Sequence, residues 1–350
     1  MPNLCGTLPT RARQRAVLHD QARSKATEIL NDIYERVERY DNALIPTQSY
    51  ASLNIKCGTL LLGVDEKRSE DAKEICSSPF FEPRGASWVP DLNITDDDMR
   101  QIFQTFNDNW DTFLPSPLLR DLESQAMHLC SWLEHMFSYF TREGSQTNVT
   151  SLSKWSSISL PKGSTFPFSL SKVITTYIGY VSEKQLASTK ETAPHTLINI
   201  AVGEEPSEDL FKAEVVIIAA AMISRLEGDE CKVYSVIPIM LVTAMGGMRA
   251  RVVQAHLSGR FLVLSKSKVF DFGTKQTLTA NIDTLLGLMG SGQVGDPADI
   301  NYILKSEVQQ VVTTQGSVHK KFQSIRKFFG LASGSPTAPR ESQKKAYKTE

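Results

Sequence analysis

The chain has 350 residues, of which 41% are hydrophobic and 22% charged, so it can bury one large core or two of ordinary size. Its 38 Lys and Arg against 39 Asp and Glu leave a net charge of −1, which excludes a whole-molecule field that attracts nucleic acid or an anionic membrane. The N-terminal sequence has no apolar run after its basic residues, and the apolar segments 213–223 and 236–245 are shorter than the about 20 residues that span a bilayer. We therefore expect an intracellular protein, cytoplasmic or nuclear, without a transmembrane segment.

Residues 1–143 are predicted to be mainly helical. The first predicted helix carries a stripe of apolar residues at steps of three and four, which indicates a surface helix docked by one face; the stripe is Leu18, Ala22, Ala26, Ile29, Ile33, Val37 and Tyr40. A second helix is predicted from an N-cap at Thr95 to about residue 113. A third has a heptad seam over 119–140, which can pack inside its own domain or form an interface.

The amino-acid composition and its periodicity change after residue 143. Residues 144–165 are rich in Ser, Thr, Gly and Pro, and we interpret them as a linker between domains. Segments 172–181 and 195–202 have the β-branched and aromatic composition of strands. A buried helix is predicted to begin at Pro206-Ser207, with the serine as its N-cap.

Three apolar runs within 236–272 predict an antiparallel β-meander. Gly246-Gly247 and Ser258-Gly259 separate the runs, and small residues of this kind supply the positive φ that tight turns require. Pro238 cannot donate to a strand ladder, so pairing is expected to begin after it. The predicted fold class is α+β: a mainly helical N-terminal region, then an α+β domain over 166–315 whose meander is flanked by helices.

Residues 316–350 form a basic tail, with eight Lys and Arg against two Glu, or +6. Such an end is either a disordered, solvated segment or a contact surface. Read as a surface, it could bind an unknown protein partner, and nucleic acid through this tail alone. The candidate interaction residues are Lys320, Lys321, Phe322, Arg326, Lys327, Lys344 and Lys345.

Two short motifs suggest a nucleotide-binding site, but their order and context favour a purely structural role for these residues. Asp271-Phe272-Gly273 precedes a G-x-G-x-x-G at Gly290, Gly292 and Gly295, whereas a kinase has its glycine loop first and a catalytic loop before the Asp-Phe-Gly. A dinucleotide site requires a strand before the glycines and a helix after them. A helix is predicted before these glycines instead, so we predict no cofactor site.

The sequence predicts a buried helix, then three antiparallel strands, then a second helix. This order of elements resembles the core of restriction-endonuclease-like nucleases. That resemblance implies magnesium held by acids, and the nearest equivalents here are Glu214, Asp229, Glu230, Gln254 and His256. The chain departs from the pattern, because histidine stands where the family has lysine and the middle strand carries no carboxylate. Magnesium prefers several carboxylate ligands, so we predict no metal site.

The chain resembles a group of uncharacterised proteins from filamentous fungi in two places. These are the segment 236–272, which contains VIPIMLVTAMG, MRARVVQAHLSGRFLVL and SKVFDF, and the later GQVGD. The resemblance covers about Val236–Asp296 and implies a shared structural unit without a reaction class.

The leading hypothesis is a non-catalytic interaction or regulatory protein. The alternatives are a divergent or degenerate nuclease acting on nucleic acid, and a small-molecule enzyme with a pocket in the sheet domain.

Overall fold

The computed structural model describes residues 10–60, 80–108, 110, 121–142, 147–153, 155–158, 180–181, 185–188 and 194–304. Within these ranges the helices are α1 (Thr10–Glu38), α2 (Asp97–Asp108), α3 (Leu122–Ser138), α4 (Val149–Leu152), α5 (Lys212–Glu227) and α6 (Lys275–Met289). The strands of the same ranges are β1 (Leu44–Ile45), β2 (Ile55–Thr59), β3 (Phe81–Glu82), β4 (Trp155–Ile158), β5 (Tyr180–Val181), β6 (Gln185–Ser188), β7 (Thr196–Val202), β8 (Leu210–Phe211), β9 (Ile239–Met245), β10 (Arg249–Ser258), β11 (Phe261–Lys266), β12 (Phe270–Asp271) and β13 (Gly292–Gln293). Helices and strands together build the fold, as the α+β prediction requires. None of the described helices is long and apolar enough to cross a bilayer.

Nine of the described strands form one mixed sheet. The order along its main path is β2-β11-β10-β9-β7-β6-β4, with β12 paired to β10 and β5 paired to β7. Strands β9, β10 and β11 pair antiparallel in sequence order, whereas β7 joins β9 and β2 joins β11 in parallel. The meander predicted over 236–272 is therefore not a sheet of its own, because distant segments extend it on both sides.

The turns between the central strands use positive φ angles. Gly247 and Met248 have φ of 64° and 54° in the turn between β9 and β10, and Gly259 has φ of 56° in the next turn. Strand β9 begins directly after Pro238, where the missing amide hydrogen costs no ladder bond. The third predicted run ends as a strand at Lys266, and β12 then returns to pair with the start of β10.

Helix α1 lies antiparallel on α5. Near the C-terminal end of α1 the backbone N–H of Lys212 donates to the carbonyl of Ala43. Towards the other end of α1, the Arg23 guanidinium donates to the carbonyls of Leu226, Cys231 and Tyr234. These contacts tie the end of α5 and its following loop to α1, whose stripe residues Ala22, Ala26, Ile33 and Val37 are fully buried.

Helix α3 begins at an N-cap on Asp121, whose carboxylate accepts from the Ser124 amide at 2.7 Å. The helix packs on β7 and β9. Its seam residues Ala126, Leu129, Leu133 and Met136 and the adjacent Phe140 are buried. The apolar seam of this helix is therefore part of the internal core.

Two predicted segments differ from the structure. Within the interval 144–165, residues 149–152 form a helix and 155–158 form strand β4 of the central sheet. Helix α5 begins at Lys212 with Phe211 as its N-cap, so it starts later than predicted at Pro206-Ser207. The delay occurs because Leu210–Phe211 pairs with Leu44–Ile45, and extended pairing prevents a helix there.

Candidate functional site

A buried ion pair joins helix α5 to the centre of the sheet. Glu214 lies on the first turn of α5 and Arg251 on β10, and both side chains are 0% exposed. The Arg251 Nε donates to Glu214 Oε1 at 2.8 Å and Nη2 donates to Oε2 at 2.5 Å. This parallel pair of hydrogen bonds is the bidentate geometry in which guanidinium and carboxylate interact most strongly.

Other polar groups complete the hydrogen bonding of both charged side chains. The Thr243 hydroxyl donates to Glu214 Oε1 and the Phe211 amide donates to Oε2, each at 2.8 Å. A carboxylate has about four lone-pair sites, so these two donors and the two from Arg251 occupy them all. Arg251 also donates to the carbonyls of Ser207 and Asp209, each at 2.8 Å, and thereby fixes the segment before α5.

The electrostatics keep Arg251 charged. Burial acts to lower the pKa of Arg251, but the adjacent Glu214 carboxylate outweighs burial, so this pKa lies above its ordinary value. The guanidinium carbon also lies 5.3 Å from the centroid of the Phe211 ring, within cation–π distance. The arrangement binds two charges to each other and to the backbone, as a structural ion pair does.

The remaining residues of the nuclease alternative lie elsewhere. Asp229 and Glu230 follow α5 in a short 3-10 turn, where Asp229 pairs with Lys232 at 2.8 Å and Glu230 pairs with Arg225 at 3.5 Å. Helix α5 separates that turn from Glu214 by about 20 Å at 1.5 Å per residue.

Gln254 and His256 lie on the opposite side of the sheet from Glu214. Arg251 and Gln254 are three residues apart in an uninterrupted ladder with β9, so their side chains project from opposite faces. His256 shares the face of Gln254. The five nuclease candidates therefore do not meet in one cleft, and within the described ranges no group of three His, Cys, Asp or Glu side chains is placed to hold a metal ion.

Two histidines and two phenylalanines form a cluster that the sequence did not indicate. The Phe80 ring centroid lies 5.1 Å from His256 and 6.3 Å from His195, and Phe81 lies 5.4 Å from His195. Burial lowers the pKa of each histidine to about 4, so both are neutral at pH 7. The contacts join residues far apart in the chain, which is why spacing gave no signal for them.

The Asp-Phe-Gly motif has structural partners. Asp271 forms an ion pair with Arg249, and its carboxylate accepts from the Gly273 amide at 2.7 Å. Phe272 is fully buried, and its carbonyl accepts from the Trp110 indole N–H at 2.7 Å. These contacts close the end of β12 against the start of β10.

The glycines of the G-x-G-x-x-G motif meet packing and backbone requirements. A Cβ at Gly290 would lie 2.3 Å from the Trp88 ring, and Gly295 has φ of 78°. At Gly292 the nearest atom would be an uncrowded 3.6 Å away. The motif thus ends α6 beneath Trp88.

We predict that Gly290→Ala lowers the free energy of unfolding by about 1–3 kcal/mol, because the rigid indole has to move. Gly292→Ala is the matched control within the motif, and its effect should stay within about 1 kcal/mol. Urea denaturation of both variants measures the difference. Equal effects at the two glycines would contradict the packing explanation.

The N-terminal end of α1 extends beyond the part that the body covers. Residues 14–18 are exposed at five consecutive positions, whereas Ala22 is fully buried. Leu18 continues the buried stripe one turn further, yet is 43% exposed, and Val17 is 50% exposed. The predicted docking stripe is therefore covered by the body only from Ala22 onward.

We call Val17 and Leu18 the apolar end of α1. Three further large apolar side chains of the described chain are exposed, Met127, Tyr139 and Val233. Val233 lies between Cys231 and Tyr234, whose carbonyls both bind Arg23.

The candidate interaction residues of the basic tail, from Lys320 to Lys345, lie outside the described residues.

Fold and site together define an α+β protein with a mixed sheet, a structural ion pair inside it and an uncovered apolar helix end. No protein-family model, curated protein or solved structure shows significant similarity to this chain.

Proposed function

We propose that this is a non-catalytic interaction protein, in which the sheet and its helices form a scaffold that presents the apolar end of α1 to a partner. The observation that carries the proposal is the exposure of Leu18 on a stripe whose next member, Ala22, is fully buried. An apolar surface of this kind gains free energy when another chain covers it.

The buried ion pair supports the non-catalytic part of the proposal. Glu214 is one of the nearest equivalents in this chain to the magnesium ligands of the nuclease alternative. Its two oxygens already accept four hydrogen bonds, two of them from Arg251. A metal ion there would have to displace the guanidinium and leave a second buried cation beside itself, which is strongly unfavourable.

Affinity purification of the full chain from its native cells, followed by mass spectrometry, tests the interaction. The matched variant is Val17→Ser with Leu18→Ser, which should keep the stability of the wild type because both side chains are about half exposed. We expect at least one protein to copurify with the wild type in near-stoichiometric amount and to be lost from the double variant. Identical partners for the two proteins would contradict the role of this surface.

A nuclease assay on purified protein tests the alternative. We expect no cleavage of single- or double-stranded DNA or RNA in excess Mg²⁺ or Mn²⁺, and no rise in thermal midpoint on adding either metal, since a ligand that binds only the folded state would raise it. Metal-dependent cleavage that Glu214→Gln abolishes in a folded protein would overturn the proposal in favour of a nuclease.

A further inference from the structure

Two histidines hold a short segment of chain on the sheet face opposite to α5. The registers of β7 and β10 against β9 place His195 and His256 at one level, on either side of Pro238. The Phe80 ring contacts both imidazoles, at centroid distances of 6.3 and 5.1 Å. Phe80 is only 2% exposed, so its ring is enclosed against the sheet at this point.

The segment that carries Phe80 has few backbone bonds. Among the described strands, β3 pairs with β13 alone, in a two-stranded sheet outside the nine-stranded one. The Val294 amide donates one further bond to the Phe80 carbonyl at 3.0 Å. A two-stranded sheet is marginal by itself, so packing of side chains on the histidines has to hold the segment in place. We call residues 80–82 the strap.

We propose that protonation of His195 and His256 releases the strap from the sheet, while β9 and its neighbouring strands stay folded. Each imidazolium would face aromatic rings in surroundings largely shielded from water, where an unpaired charge is unfavourable. Releasing the strap exposes both imidazoles to water at the cost of a few contacts, whereas global unfolding costs the whole core. The strap lies on the sheet face opposite to α5, on which α1 packs, so the inference does not depend on the proposed function.

Burial makes the strap sensitive to acid. It lowers the pKa of both histidines from 6.5 to about 4, and for His195 it outweighs the Val294 and Phe80 carbonyls, which favour the proton. The stability that the closed strap contributes is therefore complete above pH 6.5 and falls as the pH drops towards 4. The titratable side chains on the surrounding described elements shift neither pKa. They are Lys56, Glu82, Asp296, Asp299 and Tyr302.

Hydrogen exchange of the full chain, followed by mass spectrometry and corrected for intrinsic rates, measures strap opening. The Val294 amide reports on the strap through its bond to Phe80, and the amides of β9, which is paired on both sides, report on the core. Between pH 7.5 and 5.5 we expect the protection factor at Val294 to fall about hundredfold, with about tenfold from each histidine.

Single variants separate the strap from the core. His256→Phe and His195→Phe should each leave about a tenfold fall at Val294, because one histidine still takes up a proton on opening. His128→Phe is the matched control, since His128 lies on α3 beside Trp110 and remains packed there when only the strap opens. It should reduce the pH dependence of exchange at β9 and leave that at Val294 unchanged.

Three outcomes would overturn the inference. The first is protection at Val294 that does not change with pH. The second is a fall at Val294 that neither His256→Phe nor His195→Phe reduces, because the strap would then open without protonation of these side chains. The third is protection at Val294 that equals that of β9 at both pH values and responds to His128→Phe, because global unfolding alone would then free the strap. These results concern the strap only, so the proposed function of the apolar end of α1 is tested separately.

Discussion

Replacing Arg251 with methionine is expected to lower the free energy of unfolding by about 3–5 kcal/mol, because the change leaves the buried Glu214 side chain without its counterion. Both side chains are 0% exposed, so water cannot take the place of the guanidinium. The carbonyls of Ser207 and Asp209 also lose donors. Guanidinium chloride denaturation at neutral pH measures the effect.

Arg249→Met on the same strand is the matched control. Arg249 pairs with Asp271, but the two side chains are 33% and 40% exposed, and ion pairs with such access to solvent contribute about 1 kcal/mol or less. The double variant E214L/R251M removes both charges, and its destabilisation should fall short of the sum of the single variants by at least about 2 kcal/mol. A cost for R251M no larger than that for R249M would contradict the structural role of the pair.

The apolar periodicity of the sequence predicted helices and strands well where interactions within the segment itself determine the structure. The stripe in α1, the seam in α3 and the run over 195–202 each correspond to an observed element, at Thr10–Glu38, Leu122–Ser138 and Thr196–Val202. In each, apolar periodicity and flanking polar residues act within the segment itself.

Long-range pairing decided the parts that the sequence did not predict. The mixed sheet requires β2 from residues 55–59 and β7 from 196–202 beside the central strands, and periodicity does not say which strands become neighbours. The same limit applies to the late start of α5. Its predicted N-cap, Ser207, lies instead in an extended segment held by Arg251, 44 residues later in the chain.

The candidate site was predictable in composition but not in geometry. Glu214 was identified from its place on the predicted helix, whereas Arg251 was missed because an arginine in a strand usually lies on the solvated face. Both faces of β10 are largely covered, with Ala250, Val252 and Val253 fully buried. The cationic partner therefore lies inside the core, where the strand pattern alone predicts apolar residues.

Acidification is expected to unfold the protein through His128, His195 and His256, of which His195 is buried and the other two are partly buried. Burial lowers the pKa of each from 6.5 to about 4, and the unfolded chain therefore binds more protons between these values. Stability is complete above pH 6.5 and falls as the pH drops towards 4. Near pH 5 each histidine should contribute a slope on the order of 1 kcal/mol per pH unit, enough together to unfold a domain of ordinary stability.

Substitution by phenylalanine separates the proton effect from packing. His256 packs edge-on against Phe80 and Tyr302, so His256→Phe should preserve the contacts and flatten the acid slope by about one third. His195 contacts the Val294 carbonyl at 3.2 Å, so His195→Phe should also cost about 1 kcal/mol at pH 8 through that lost hydrogen bond. Urea denaturation at pH 8, 6.5, 5.5 and 5 distinguishes the two variants. A slope for His256→Phe equal to that of the wild type would show that protonation of His256 does not drive the acid transition.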